Sequence, residues 1–436
     1  MKFVAGALTA LSLPALLLAC AATEPPPAAT SSRVFSAAAL TSEVDGYHAQ
    51  GERPAPDDRT RRVDAVIDTA IAEGRIVGTV TIALQDGKVV YQRAAGFADR
   101  EAKKPMREDT VFRLASATKA IVSATTLALV EKGAIGLDDP VTKWLPEFRP
   151  HLASGKIPVI TVRQLLTHTS GINYGFLEGK DGPYHRARVS DGLDQPGLSL
   201  EENLARLNKV PLLFEPGTQW NYSLSTDVLG AVIAKAAGAP LPEVVQRYVT
   251  GPLDLEASFA APDPARLATP YADGKPRAVR MVDPQLVPFG SAVISFSPAR
   301  VFDPKSYASG GAGMNGTAQA YVKFLETLRT GGGKILRPES VALLSTNQIG
   351  DLDVFGSGGT KGFGLGFSVI KKPIPNNPSA PGTYQWGGAW GHNYFVDPTN
   401  KLTVVILTNT AVAGMEGEFP DAVRRAIYGT GETHAK

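Results

Sequence analysis

Phe112-Arg113-Leu114-Ala115-Ser116-Ala117-Thr118-Lys119 is the stretch on which the reading of this sequence turns. It runs into a segment of good helix formers from Ala117 to Lys132, which Gly133 ends. Ser116 and Lys119 are three positions apart, so a helix starting here brings them onto one face. A helix N-terminus also offers unpaired N–H groups and the positive end of the dipole to an anion. A serine hydroxyl becomes a nucleophile only beside a base, and a desolvated lysine loses its proton more readily and can assist as that base. Ser-x-x-Lys alone is a weak signal, because serine is also a common helix N-cap. The chain carries its own control. Ser368-Val369-Ile370-Lys371 has the same spacing but lies in an alternating strand pattern, where i and i+3 point to opposite faces, so it is set aside.

Moving outward, Pro216-Gly217-Thr218-Gln219-Trp220-Asn221-Tyr222-Ser223-Leu224-Ser225 sets a tyrosine just before a helical pattern over 225–238. Later, Trp386-Gly387-Gly388-Ala389-Trp390-Gly391-His392 falls within a strand pattern. Adjacent glycines weaken a strand unless something must approach its backbone closely, and a substrate at the strand edge is one such thing. Helical spacing over 59–74 is stopped by Gly74, and Asp86-Gly87 between two apolar runs, 79–84 and 88–94, predicts a hairpin. The middle of the chain shows helical patterns, such as 201–208, between Gly/Pro-rich loops. Helical spacing at 317–330 precedes strand patterns at 363–370, 383–396 and 402–409, and a last helix at about 420–428. The economical architecture is α+β: one antiparallel sheet built from both ends of the chain, flanked by N- and C-terminal helices, with a helical region inserted. The sheet part is expected at about 57–115 and 305–436, and the helical part at about 116–304.

Ser116-x-x-Lys119, Tyr222-Ser223-Leu224 and Trp386-Gly387-Gly388, in this order, resemble the three boxes of the serine β-lactamase and penicillin-binding-protein superfamily. Leu165-Leu166-Thr167-His168-Thr169-Ser170-Gly171 and Pro216-Gly217-Thr218 resemble it too, and the likeness spans roughly 60–430. Class C β-lactamases and related peptidases have Tyr-x-Asn, where this chain has Leu224, and Lys-Thr-Gly, where it has Trp386. That lysine would attract a substrate carboxylate, and an indole cannot. Ser-Asp-Asn of class A enzymes is missing, and Ser190-Asp191-Gly192 is taken as a surface-loop lookalike. The pattern is similar to the family VIII carboxylesterases, whose neutral strand edge suits uncharged esters.

The resemblance implies Ser116 as the acylated nucleophile and Tyr222 with Lys119 as the proton-handling pair, either of which could be the formal base. A free phenol keeps its proton at neutral pH, so Tyr222 needs a neighbouring cation, which Lys119 could supply. The oxyanion hole would be the backbone N–H groups of Ser116 and Ala389. Trp386, Gly387, Gly388 and His392 would border the substrate pocket. Asn208 is a candidate pocket amide, His168 is read as structural, and Asp227 as bonding locally in its helix. The expected substrate is a neutral, short-chain carboxylic ester. β-Lactamase, D-aminopeptidase, DD-peptidase or acyltransferase activity on the same acyl-enzyme chemistry is the alternative, and a non-catalytic envelope protein the more distant one.

Composition agrees with this frame. The chain has 436 residues, with 44 Lys+Arg against 42 Asp+Glu, and it contains one Cys. Near-neutral charge gives no footprint for nucleic acid. A single Cys excludes an intrachain disulfide framework. Six scattered His without His-Glu-x-x-His give no metal motif, and no cofactor is expected. The absence of Gly-x-Ser-x-Gly argues against an α/β-hydrolase. Residues 1–20 read as an export signal, with Lys2, then an apolar run. Cys20 at its end resembles a lipoprotein lipidation site, although Leu18 departs from the usual small residue there. Ala19-Cys20-Ala21 also fits ordinary cleavage after Ala21. Residues 21–56, rich in Ala, Pro, Ser and Thr, read as a flexible tether to a domain at 57–436. An exported protein is expected, periplasmic, envelope-bound or secreted, touching a membrane only through such a lipid.

Overall fold

Val63, Ile67 and Ala70 recur at helical spacing and are fully buried, so the segment folds as helix α1 (Asp58–Ala72). The Asp57 carboxylate caps it by accepting from Thr60 N at 2.7 Å, and Gly74 follows its end at φ 70°. The computed structural model describes residues 57–290 and 292–430. After α1 come β1 (Gly78–Gln85) and β2 (Lys88–Asp99), joined by Asp86 and Gly87, both at positive φ as a tight hairpin turn requires. A short β3 (Lys104–Pro105) follows, then α2 (Thr118–Glu131), α3 (Leu200–Leu207) and α4 (Ser225–Ala237). A hairpin of β4 (Gln285–Phe289) and β5 (Ala292–Phe296) precedes α5 (Ala318–Arg329). The C-terminal part supplies β6 (Lys361–Phe363), β7 (Ser368–Ile370), β8 (Tyr384–Gly388), β9 (His392–Asp397), β10 (Leu402–Thr408) and α6 (Glu418–Tyr428).

The eight strands of the main sheet lie in the order β6-β7-β8-β9-β10-β1-β2-β3, with antiparallel neighbours throughout. The ends of the described chain thus meet where β1 pairs with β10, from Thr79↔Thr408 to Gln85↔Leu402. Every residue of β10 is buried because both sheet faces are covered. Leu402, Val404 and Ile406 pack with α1 and α6, while Val405 and Leu407 face the core that holds α2, α4 and α5. Each such side chain stabilises the fold by roughly 1.5–3 kcal/mol relative to exposure. This is the α+β arrangement of antiparallel sheet, terminal helices and inserted helical region.

The details depart from the sequence reading in three places. The run 383–396 is two strands, because Gly391 at φ 112° lets the chain turn back after Gly388. The run 363–370 is likewise split between β6 and β7. The inserted region is not wholly helical, since Val287 and Ile294 are paired and bury inward in the β4–β5 hairpin.

Candidate active site

Ser116 sits in a single 3-10 turn, Ala115–Ala117, which passes into α2. Ala115 holds φ 45°, an expensive conformation for a residue with a Cβ and one that concentrates at functional sites. One turn along, Lys119 is buried in α2 at 3% exposure. Its ammonium donates to Tyr174 Oη at 2.8 Å, Gly311 O at 2.7 Å and Ser116 Oγ at 3.4 Å. Three N–H donors meet three acceptors, an arrangement that suits the charged form of lysine. Burial holds the Tyr174 hydroxyl well above the usual phenol range, so it stays neutral and can accept that bond.

Tyr222 arrives from the loop before α4. Its hydroxyl and that of Ser116 share a 2.7 Å hydrogen bond, and Lys119 Nζ lies 4.9 Å from its ring centre. Trp386 of β8 donates its indole N–H to Tyr222 Oη at 3.4 Å. Rings of His168, Tyr174 and Trp386 surround Tyr222 with centroids 5.0, 5.1 and 5.0 Å away. The phenol is therefore fixed by packing, with its oxygen against both Ser116 and an indole donor. The structure brings Ser116, Lys119 and Tyr222 together, although 106 residues separate the first from the last. The second Ser-x-x-Lys does not form such a pair: Lys371 turns away to Gly350 O at 3.2 Å.

The glycines of the third box have distinct roles. Gly388 does not line the cavity, contrary to its assignment from sequence. A Cβ there would lie 2.5 Å from Leu114 O, so the close approach it permits is that of the nucleophile's own turn. Gly387 and Ala389 do line the cavity with Ser116, and Trp386 forms part of its wall. His392 is also misplaced by the sequence reading. It is fully buried, with Nε2–H donating to Arg113 O at 2.7 Å, and burial pushes its imidazole down to about 4. It ties β9 to the strand leading into Ser116 and does not border the pocket. On β9, consecutive side chains alternate faces, and position 392 points inward toward Phe112.

Three further expectations change. Asp191 is not on a surface loop: it is buried in the cavity wall, where its oxygens accept from Gly175 N at 2.7 Å and Phe176 N at 3.0 Å. Burial, added to by Asp194, pushes its carboxyl up to about 8. Asp227 does not bond within its helix. It is buried beside Gly311, Ser309 and Lys119, and burial raises its carboxyl above the usual range against the pull of the Ser309 hydroxyl and the Lys119 charge. Asn208 caps α3 and bonds Glu147 O at 2.6 Å, away from the cavity. His168, read as structural, packs behind Tyr222 with Nδ1 3.0 Å from Ser223 Oγ. Tyr174 was not singled out from the sequence, because nothing in Ile172-Asn173-Tyr174 shows that this ring reaches Lys119. Cys20 lies outside the described residues.

The cavity above Ser116 encloses about 470 Å³, in the range of small-molecule sites. One end is apolar, with Phe176, Leu177, Leu193, Phe289 and Ile294 in its wall. Phe355, exposed to solvent, also lines the cavity, its ring 6.0 Å from that of Trp386 and nearly parallel to it. A hydroxyl held by a phenol and an ammonium, beneath a largely apolar cavity, can attack an uncharged carbonyl and hold an acyl group away from bulk water.

Comparison with known proteins identifies the family. A beta-lactamase family model matches residues 63–428. "Esterase EstB" of Burkholderia gladioli is 47% identical over 372 residues, covering 84% of this chain and 94% of that one. "Acyltransferase calJ" of Penicillium decumbens is 30% identical over 396 residues, covering 81% and 90% of the two chains. Among solved structures, "EstCE1, a hydrolase with promiscuous acyltransferase activity" superposes with a TM-score of 0.82 at 42% identity, covering 86% of this chain and 99% of that one. The chain is a serine hydrolase, and it belongs to the beta-lactamase family.

Proposed function

We propose that the protein is a serine carboxylesterase that hydrolyses neutral, short-chain carboxylic esters through an acyl-enzyme. The observation that carries this reading is the 2.7 Å contact of Ser116 Oγ with Tyr222 Oη, beside a Lys119 ammonium whose protons are all engaged. Tyr222, as phenolate held by Lys119 and Trp386, takes the Ser116 proton as Oγ attacks the ester carbonyl. The N–H groups of Ser116 and Ala389 receive the oxyanion. The proton then passes from Tyr222 to the departing alcohol, and the phenolate so restored later takes a proton from the attacking water and returns it to Ser116 Oγ as the acid leaves. Trp386 at the strand edge offers no cation for a substrate carboxylate, which favours neutral esters over β-lactams. The residues 1–20 and Cys20 support an exported protein carrying a lipid.

The test compares kcat/KM for p-nitrophenyl butyrate with that for a penicillin and a cephalosporin. Loss of a charge-assisted bond to the β-lactam carboxylate costs about 1.5–3 kcal/mol, so the ester should lead by more than tenfold. A β-lactam value equal to or above the ester value overturns the reading. Ser116→Ala should abolish turnover with an unchanged fold, and a fluorophosphonate should label the Ser116 peptide. Acyl transfer to an added alcohol is the second reading, favoured by the apolar acyl end of the cavity, and product ratios in butanol–water mixtures measure it.

A further inference from the structure

Ser190-Asp191-Gly192 has no part in the chemistry described so far, yet the fold carries its carboxylate to the segment that holds Lys119. Asp191 Oδ1 accepts from Gly175 N at 2.7 Å and Oδ2 from Phe176 N at 3.0 Å, so its two oxygens clamp the start of the 3-10 turn Gly175–Leu177. Gly175 permits this close seat, since a Cβ there would lie 3.1 Å from Oδ2. The clamp is anchored on both sides. Asn203 of α3 accepts from Ser190 N at 2.8 Å and donates to Ser190 O at 3.0 Å, and Arg300 Nε donates to Gly192 O at 3.0 Å. Asp191 is thereby held from behind, and the turn is what it positions.

The residue just before that turn is Tyr174. Phe176 stacks on its ring at 4.5 Å, the ring lies 5.1 Å from that of Tyr222, and its hydroxyl accepts from Lys119 Nζ at 2.8 Å. The clamp is thus one residue away from the group that orients the ammonium. A carboxylate accepts both N–H groups well. Once protonated, it keeps one good acceptor oxygen, and the bond to the other weakens. Asp194 of its own loop and Asp227 of α4 face Asp191 with like charge, and Tyr174 and Tyr184 face it from the clamped segment. Lys119 stands beyond the Tyr174 hydroxyl and Arg300 beside Gly192, and no described cation pairs with Asp191 directly. Burial, then Asp194, set the loss of its proton at about 8 against the pull of the two N–H groups.

We propose that the Asp191 carboxylate is a positioning residue: ionised, it locks the turn that aims the Tyr174 hydroxyl at Lys119, and protonated, it lets that turn and the Lys119–Tyr222 pair slacken. This rests on the acyl-enzyme reading of Ser116, and it adds a pH dependence imposed from outside the proton-handling pair.

Two rates are followed from about pH 6 to pH 10: kcat for p-nitrophenyl butyrate, and labelling of Ser116 by a fluorophosphonate. In wild type both should rise about tenfold through a step near pH 8, the worth of one hydrogen bond to a charged group. Asp191→Asn keeps the size but only one acceptor, so it should stay at the low-pH wild-type level throughout, with KM within about twofold. A merely structural role would lower the rates without changing the shape of the profile. Asp194→Asn leaves Asp191 intact and removes the neighbouring charge, so the step should move to lower pH; this variant decides the matter if Asp191→Asn does not fold. Tyr174→Phe removes the hydroxyl through which the clamp acts and should abolish the step. A wild type without the step, a step that survives in Asp191→Asn or Tyr174→Phe, or one that stays in place in Asp194→Asn overturns the clamp proposal alone. Labelling that shows the step in a wild type without ester turnover overturns the carboxylesterase reading alone.

Discussion

Lys119→Met is the substitution that most directly probes the proton-handling pair. It keeps the length and apolar stem of the side chain, so the packing of α2 is preserved while the charge goes. The ammonium lies about 5 Å from the Tyr222 ring. In a buried site with an effective dielectric near 20, a unit positive charge at that distance stabilises a phenolate by about 3 kcal/mol, on the order of 200-fold in rate. kcat for p-nitrophenyl butyrate should fall by at least that factor. The decisive measurement is the double variant. If Lys119 acts only through Tyr222, adding Lys119→Met to Tyr222→Phe should cost little beyond Tyr222→Phe alone, because the phenolate that the charge supports is already absent. Fully multiplicative losses would show that Lys119 works on Ser116 independently and would refute the reasoning.

The remaining predictions follow from the same geometry. Gly388→Ala puts a Cβ 2.5 Å from Leu114 O, and relief of that clash must move the Ser116 turn, so stability should drop by roughly 1–3 kcal/mol and kcat at least tenfold; an unchanged melt and rate would refute the close-approach role. Native His392 is neutral down to about pH 4, whereas an unfolded histidine takes its proton near 6.5, so the unfolded state gains protons first between those values and stability falls as pH drops through that window. Wild type should lose about 2 kcal/mol more than His392→Asn on going from pH 7 to pH 5 in urea melts, and equal losses would remove this term. Cys20→Ser should release the protein from a membrane fraction; a soluble wild type with a mature start at Ala22 would rule lipidation out.

The sequence alone determined the local and periodic features. Ser116 and Lys119 belong to one helix turn, Asp86-Gly87 closes a hairpin, and Thr79–Leu84 and Leu402–Asn409 read as strands, because dihedral preference and side-chain period act over a few residues. Motif order then pointed to the family. Tertiary structure alone decided which distant groups meet. Tyr174 reaches Lys119, Asp227 is buried near it without bonding it, and Asp191 enters the cavity wall, through packing across long sequence separations that no local pattern encodes. His392 and Gly388 were misread for a related reason. In a strand buried on both faces, apolar spacing no longer tells which face a residue takes, and only the pairing of β8 with β9 and the approach of Leu114 show that both residues support the nucleophile's turn from behind.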